Sequence, residues 1–197
     1  RQRMAYAIDE QGRISMRQAR SHTLIPTPRM PLQHPRLEAL RLGEVDMTGL
    51  EKIELAASNT DEPPLILAVP TVTETGEATC AARGAIKRLS QHVAGLTHND
   101  GSANDAPAAS IAILNQISGA ASDGLGRVER VTGRTWLTQT ANSYSYRVTG
   151  EGFWQIHSSA PETLMDDVMT YADAQPDQRW LCLLYTSLMA RGRRVDL

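Results

Sequence analysis

Residues 159–185 set the tightest constraint on what this chain can fold into. Ser159-Ala160-Pro161-Glu162 has the form of a capping box, with serine at the N-cap, glutamate three positions on and proline in the first turn. Leu164, Met165, Val168, Met169 and Ala172 then make one apolar stripe at helical spacing, read as core. Gln175-Pro176-Asp177 stops the helix, and Trp180 to Tyr185 is an unbroken apolar run suited to a buried parallel strand. Capped helix, short break and buried strand form the entry to a doubly wound domain, which places the chain in the α/β class.

Upstream the periodicity changes. Arg3 to Ile8 alternates, meets the turn cluster Asp9-Glu10-Gln11-Gly12, and resumes as Arg13 to Arg17. This predicts a β-hairpin with Met4, Tyr6 and Ile8 on one face and the arginines largely on the other. Thr23-Leu24-Ile25 reads as a third strand, and Pro26, Pro28, Pro31 and Pro35 bar a helix interior until Pro35 opens a short one through Leu42. Ile53 to Leu55 and Leu65 to Val69 read as strands, and Ala82 to Val93 as an amphipathic helix facing inward through Ile86, Leu89 and Val93. Residues 97–109, poor in bulky side chains, read as a surface loop. Val128 to Thr138 and Asn142 to Val148 read as two further strands.

Charge is distributed unevenly. The chain of 197 residues has a formal charge of −2, yet residues 1–42 hold eight arginines against Asp9, Glu10 and Glu38, a net of +5. Arginine presents a planar fork suited to phosphate, so this edge is a candidate nucleic-acid surface; the alternative is a solvated hairpin with an arginine bias. No stretch approaches a membrane span, and two isolated cysteines, Cys80 and Cys182, fit a reducing compartment. A cytoplasmic location is therefore expected, without a membrane partner and as a monomer. His22, His34 and His157 lack metal-ligand spacing, so no metal site is expected.

Gly152-Phe153-Trp154-Gln155-Ile156-His157, leading into the capped helix, resembles the Phe-x-Gln-[Val/Ile]-[Asn/His] motif of the RNA uracil-C5 (5-methyluridine) methyltransferases, in a form most similar to the actinobacterial branch. The front end agrees, because Arg1-x-Arg3, the hairpin, Arg20-Ser21-His22, Ile25 and Pro31-Leu32-x-His34-Pro35 resemble that family's central domain. The resemblance covers residues 1–42 and 150–181. It implies a mixed, mainly antiparallel RNA-facing central domain over residues 1–149, with the start of a Rossmann-like methyltransferase domain over 150–197. It further implies S-adenosylmethionine as cofactor, contacted by Gln155, and structured RNA, tRNA or 23S ribosomal RNA, as partner, approached by Arg1, Arg3, Arg20, Phe153 and Trp154. The bland reading of Phe153 and Trp154 is core aromatics, and that of Gln155 a polar strand-edge residue.

The family's chemistry explains the need for such residues. Carbon 5 of uracil is a poor nucleophile, so a cysteine thiolate adds to carbon 6, carbon 5 attacks the methyl group, and a carboxylate removes the carbon-5 proton before the thiol leaves. That cysteine and carboxylate are expected beyond residue 197, so the resemblance implies no catalytic residue here and an inactive isolated chain. Where a glycine-rich cofactor loop is expected to follow the strand, the glycines of that motif are missing, and residues from about 182 onward are expected to be out of frame. Met30-Pro31-Leu32 stands where iron–sulfur members of the family carry Cys-Pro-[Leu/Ile], so no cluster is expected. Two other readings remain at this point: a non-catalytic RNA-binding or interaction module, and an α/β domain without a nucleic-acid role.

Overall fold

The computed structural model describes residues 1–96, 107–115 and 127–173. The run Trp180 to Tyr185, Cys182 and the segment 182–197 lie outside the described residues. The chain divides into a compact unit, Arg1–Glu162, and a second unit that begins at Thr163.

The first unit is built on a seven-stranded sheet. Its strands are β1 (Arg3–Ile8), β2 (Ile14–Arg17), β3 (Leu24–Pro26), β4 (Leu50–Ala56), β5 (Leu65–Pro70), β6 (Ser110–Asn115) and β7 (Arg127–Thr132), in the spatial order β3-β2-β1-β4-β5-β6-β7. Every pairing is antiparallel except β5 with β6. A parallel pair needs a crossover, and helix α2 (Cys80–Leu96) lies in that connection. A separate antiparallel hairpin, β8 (Trp136–Ala141) with β9 (Tyr144–Thr149), follows. The mixed, mainly antiparallel α/β architecture is therefore as expected for this region.

Period-two alternation decides which face each strand buries. In β1, Met4, Tyr6 and Ile8 turn into the main core with Ile53 and Leu55 of β4, Ile66 and Ala68 of β5, and Ala82, Ala85, Ile86, Leu89 and Val93 of α2. The other sheet face carries a smaller cluster, Ala56, Leu65, Leu67 and Ala112, closed by Leu137 of β8. Strand β5 is buried at every position because it has a cover on both faces. That double cover is why its sequence is apolar without alternation.

Three expectations change on inspection. The stretch 128–138 is two strands, broken at Gly133, whose φ is +66° and whose added Cβ would lie 2.3 Å from Ser110 Oγ. Strand β6 was not predicted. The short helix stops earlier, at Glu38 (α1, Pro35–Glu38), and Arg41 in the left-handed region (φ 49°) precedes a 3-10 turn at Leu42–Glu44. Helix α3 (Ala160–Ala172) forms as predicted, but Leu164, Val168 and Met169 of its apolar stripe are exposed.

Tyr6 anchors the hairpin to the segment before α1. Its hydroxyl donates to Gln33 Oε1 at the base of a cavity of about 430 Å3 that Ile14, Met30, Leu37 and Leu42 also line. Burial pushes the phenol up to about 12. A phenol that ionises later folded than unfolded stabilises the fold fully below about pH 10, and this contribution is lost as pH rises towards about 12. Urea denaturation across that range is expected to show falling stability, and Tyr6→Phe is expected to make the fall shallower.

Candidate functional site

The two sequence blocks that resemble the same family meet in space. Alternation along β1 turns Arg3 and Ala5 away from the main core, onto the face where Glu54 of β4 lies opposite Ala5. From there the Arg3 guanidinium donates to the carbonyls of Gly150 and Gly152, which begin the Phe-x-Gln segment. The flanking backbone reinforces the join: Gln2 N–H donates to Ile156 O at 2.8 Å, and Ala57 N–H donates to Gln2 O at 2.7 Å. Segment 150–156 is thereby held along the edge of the β1–β4 pair. Burial pulls the Arg3 pKa down and the Glu54 charge pulls it back up, so the guanidinium remains a cation in a partly desolvated setting.

A cleft of about 330 Å3 results, lined by Arg3, Glu54, Glu151, Phe153, Trp154 and Ile156 among others. The two motif aromatics behave differently within it. Trp154 is half-buried and packs on Tyr146 of β9, with ring centroids 5.4 Å apart at 47°. Phe153 is 81% exposed, and Ile156 beside it 47%. A phenylalanine ring held on an ordered segment yet left in water is the kind of surface that marks a binding site. Glu151 Oε2 and Trp154 Nε1 are buried without hydrogen-bond partners, so the segment also holds unused acceptor and donor capacity.

The remaining predicted residues lie apart in character. Gln155 is half-buried in the same segment. Arg1 and Arg20 are exposed, the latter at φ 59°. Arg3 is committed to the carbonyls of the motif, a role that sequence reading did not anticipate. The arginine-rich edge is also more neutral than its composition: Arg13, Arg29, Arg36 and Arg41 pair with Asp9, Glu38, Asp61 and Glu44. His157 accepts or donates to Ser159 Oγ at 3.0 Å through Nδ1, next to the start of α3. Among the described residues no group of histidine, cysteine, aspartate and glutamate could hold a metal. No helix among them is long and apolar enough to cross a membrane. Tyr146 and Glu151 were missed by the sequence reading; their adjacency to the motif was the available signal.

No protein-family model matches the chain. Two curated relatives do: an uncharacterised RNA methyltransferase of Streptomyces avermitilis and another of Streptomyces coelicolor, each 25% identical over 169 residues, or 86% of this chain. The chain is thus similar to RNA methyltransferases over most of its own length. It spans 32% and 30% of the length of those two relatives, about a third of each. The fold agrees with that of an RNA methyltransferase of known structure, the tRNA (uracil-54, C5)-methyltransferase of Pyrococcus abyssi in complex with S-adenosyl-L-homocysteine. The TM-score is 0.51 at 16% identity, covering 86% of this chain and 40% of the other, a likeness of fold.

Proposed function

We propose that this chain is the RNA-presenting part of an S-adenosylmethionine-dependent methyltransferase that acts on uracil C5 of tRNA or ribosomal RNA. The observation that carries the proposal is the clasp from Arg3 to Gly150 and Gly152, which assembles the family's two sequence blocks into one cleft with Phe153 exposed at its mouth. Phe153 offers a stacking face to a base withdrawn from its helix, which an enzyme must extract before it can reach a ring carbon. Trp154 braces the segment through Tyr146. Gln155 would hold the cofactor; its amide offers a donor and an acceptor from one rigid segment, which suits the polar ends of such a molecule. S-adenosylmethionine, when bound, supplies the methyl group. No residue of this chain is assigned the role of the thiolate or of the proton-accepting carboxylate, and the isolated chain is proposed to be inactive.

Deleting the encoding gene and digesting total RNA to nucleosides tests the reading. Loss of 5-methyluridine from tRNA or ribosomal RNA is the expected result. Unchanged 5-methyluridine, or loss of a different methylated nucleoside, would overturn the assignment to uracil C5.

A further inference from the structure

Outside the cleft, the outer face of the β8–β9 hairpin gathers cations around one aromatic ring. Register places Trp136 opposite Thr149, Thr138 opposite Arg147 and Thr140 opposite Ser145, so these six residues share a face, while Leu137 and Gln139 are buried on the other. The guanidinium carbon of Arg134 lies 4.6 Å from the Trp136 ring centroid, and that of Arg147 lies 4.4 Å from it. Both are within the range in which the ring quadrupole attracts a cation. Two like charges on one indole repel each other, so the arrangement needs a compensating anion.

Only part of that compensation is internal. Glu62 Oε1 pairs with Arg134 Nη1 at 2.8 Å and also accepts from Thr138 Oγ1 at 2.9 Å. Arg147 is exposed and has no carboxylate partner among the described residues. A guanidinium stacked on a ring keeps its edge N–H groups free, pre-ordered as a fork that matches a phosphate. The surrounding segment 127–149 holds four arginines against Glu129, a net of +3. Ser145 and Thr149 add exposed hydroxyls to the same face. Strand β9 ends at Thr149, one residue before Gly150 of the clasped segment, so the two surfaces are continuous along the chain.

We propose that this face is a second RNA-contact surface, in which Arg147, ordered by Trp136, receives a phosphodiester group of the strand that flanks the target base. The proposal rests on the reading of the chain as part of an RNA methyltransferase. It adds a backbone-positioning contact to the base contact at Phe153, and such contacts set register without reading sequence.

Fluorescence anisotropy of the full chain tests it, with a fluorescein-labelled tRNA transcript and a short labelled oligouridylate as probes over a range of salt. Arg147→Ala is expected to weaken both probes about tenfold and to lower the salt slope by about one. Arg147→Lys keeps the charge but loses the stacked fork, so an intermediate loss is expected. Trp136→Phe keeps a ring with a weaker quadrupole, guards against loss of folding, and is expected to weaken binding less than Arg147→Ala. Wild-type affinity and salt slope in both Arg147 variants, with binding lost in Phe153→Ala, would overturn this surface and leave the RNA reading standing. Absence of RNA binding by the unaltered chain would overturn both.

Discussion

Gly49→Ala is expected to destabilise the fold by about 3 kcal/mol or more, through overpacking together with backbone strain. Gly49 has φ +104°, and a Cβ there would lie 2.4 Å from Ala81 C and 2.4 Å from Ala82 N, the backbone of the first turn of α2. Neither side can yield cheaply. Gly49 O accepts from Thr71 N–H at 2.8 Å and from Thr71 Oγ1 at 2.7 Å, which fixes it against the end of β5. On the other side, α2 is held by Ala82, Ala85 and Leu89 in the main core. Gly76 supplies the control, with φ +82° and nothing within 4 Å of an added Cβ. Gly76→Ala is expected to cost only the conformational strain, about 1 kcal/mol. Urea denaturation of the two variants separates clash from strain. Equal midpoints would mean that α2 moves aside freely.

The second large effect concerns the cleft itself. Arg3→Met keeps the side chain's length and apolar stem but removes both donors to Gly150 and Gly152. Charge-assisted hydrogen bonds of this kind stabilise by roughly 1.5–3 kcal/mol each, offset by the cost of desolvating the guanidinium, so a local loss of about 2 kcal/mol is expected. That corresponds to an increase of more than tenfold in amide exchange across residues 150–156, with the β5 amides unchanged. RNA affinity is expected to fall with it, because Phe153 would no longer be held on an ordered segment. Unchanged exchange across 150–156 would show that the Gln2 backbone bonds suffice to hold the segment.

Much of the architecture was readable from local pattern. The alternation of Met4, Tyr6 and Ile8, the turn at Gly12, and the spacing of Ala82, Ile86, Leu89 and Val93 all coincide with buried positions. Strand β6 escaped because Ser110 to Asn115 is short and follows a stretch of small polar residues. It is a strand because it pairs in parallel with β5. The break at Gly133 escaped for a related reason: Ser110, far away in sequence, occupies the space where a side chain would stand. The stripe of α3 shows the converse. Its periodicity foretold the helix correctly, but periodicity alone could not say that Leu164, Val168 and Met169 would be exposed.

The functional residues divide along the same line. The sequence by itself singled out the segment of interest, since Phe153, Trp154 and Gln155 stand in a recognisable order before a helix, and it carried the resemblance to RNA methyltransferases. It also showed how many arginines the chain carries, but not which of them are available. Ion pairs and carbonyls occupy Arg3, Arg13, Arg29, Arg36 and Arg41, whereas Arg147 is stacked and without a carboxylate partner among the described residues. Only the tertiary structure decided that Phe153 is exposed while Trp154 packs on Tyr146, and that Arg3 reaches across 149 residues to Gly152. The physical reason is the range of the interactions involved. Helix and strand periodicities, caps and turns are set within a few residues of chain, so they can be read locally. Burial, ion pairing and the clasp depend on which distant strands become neighbours, and that is settled by packing the sheet as a whole.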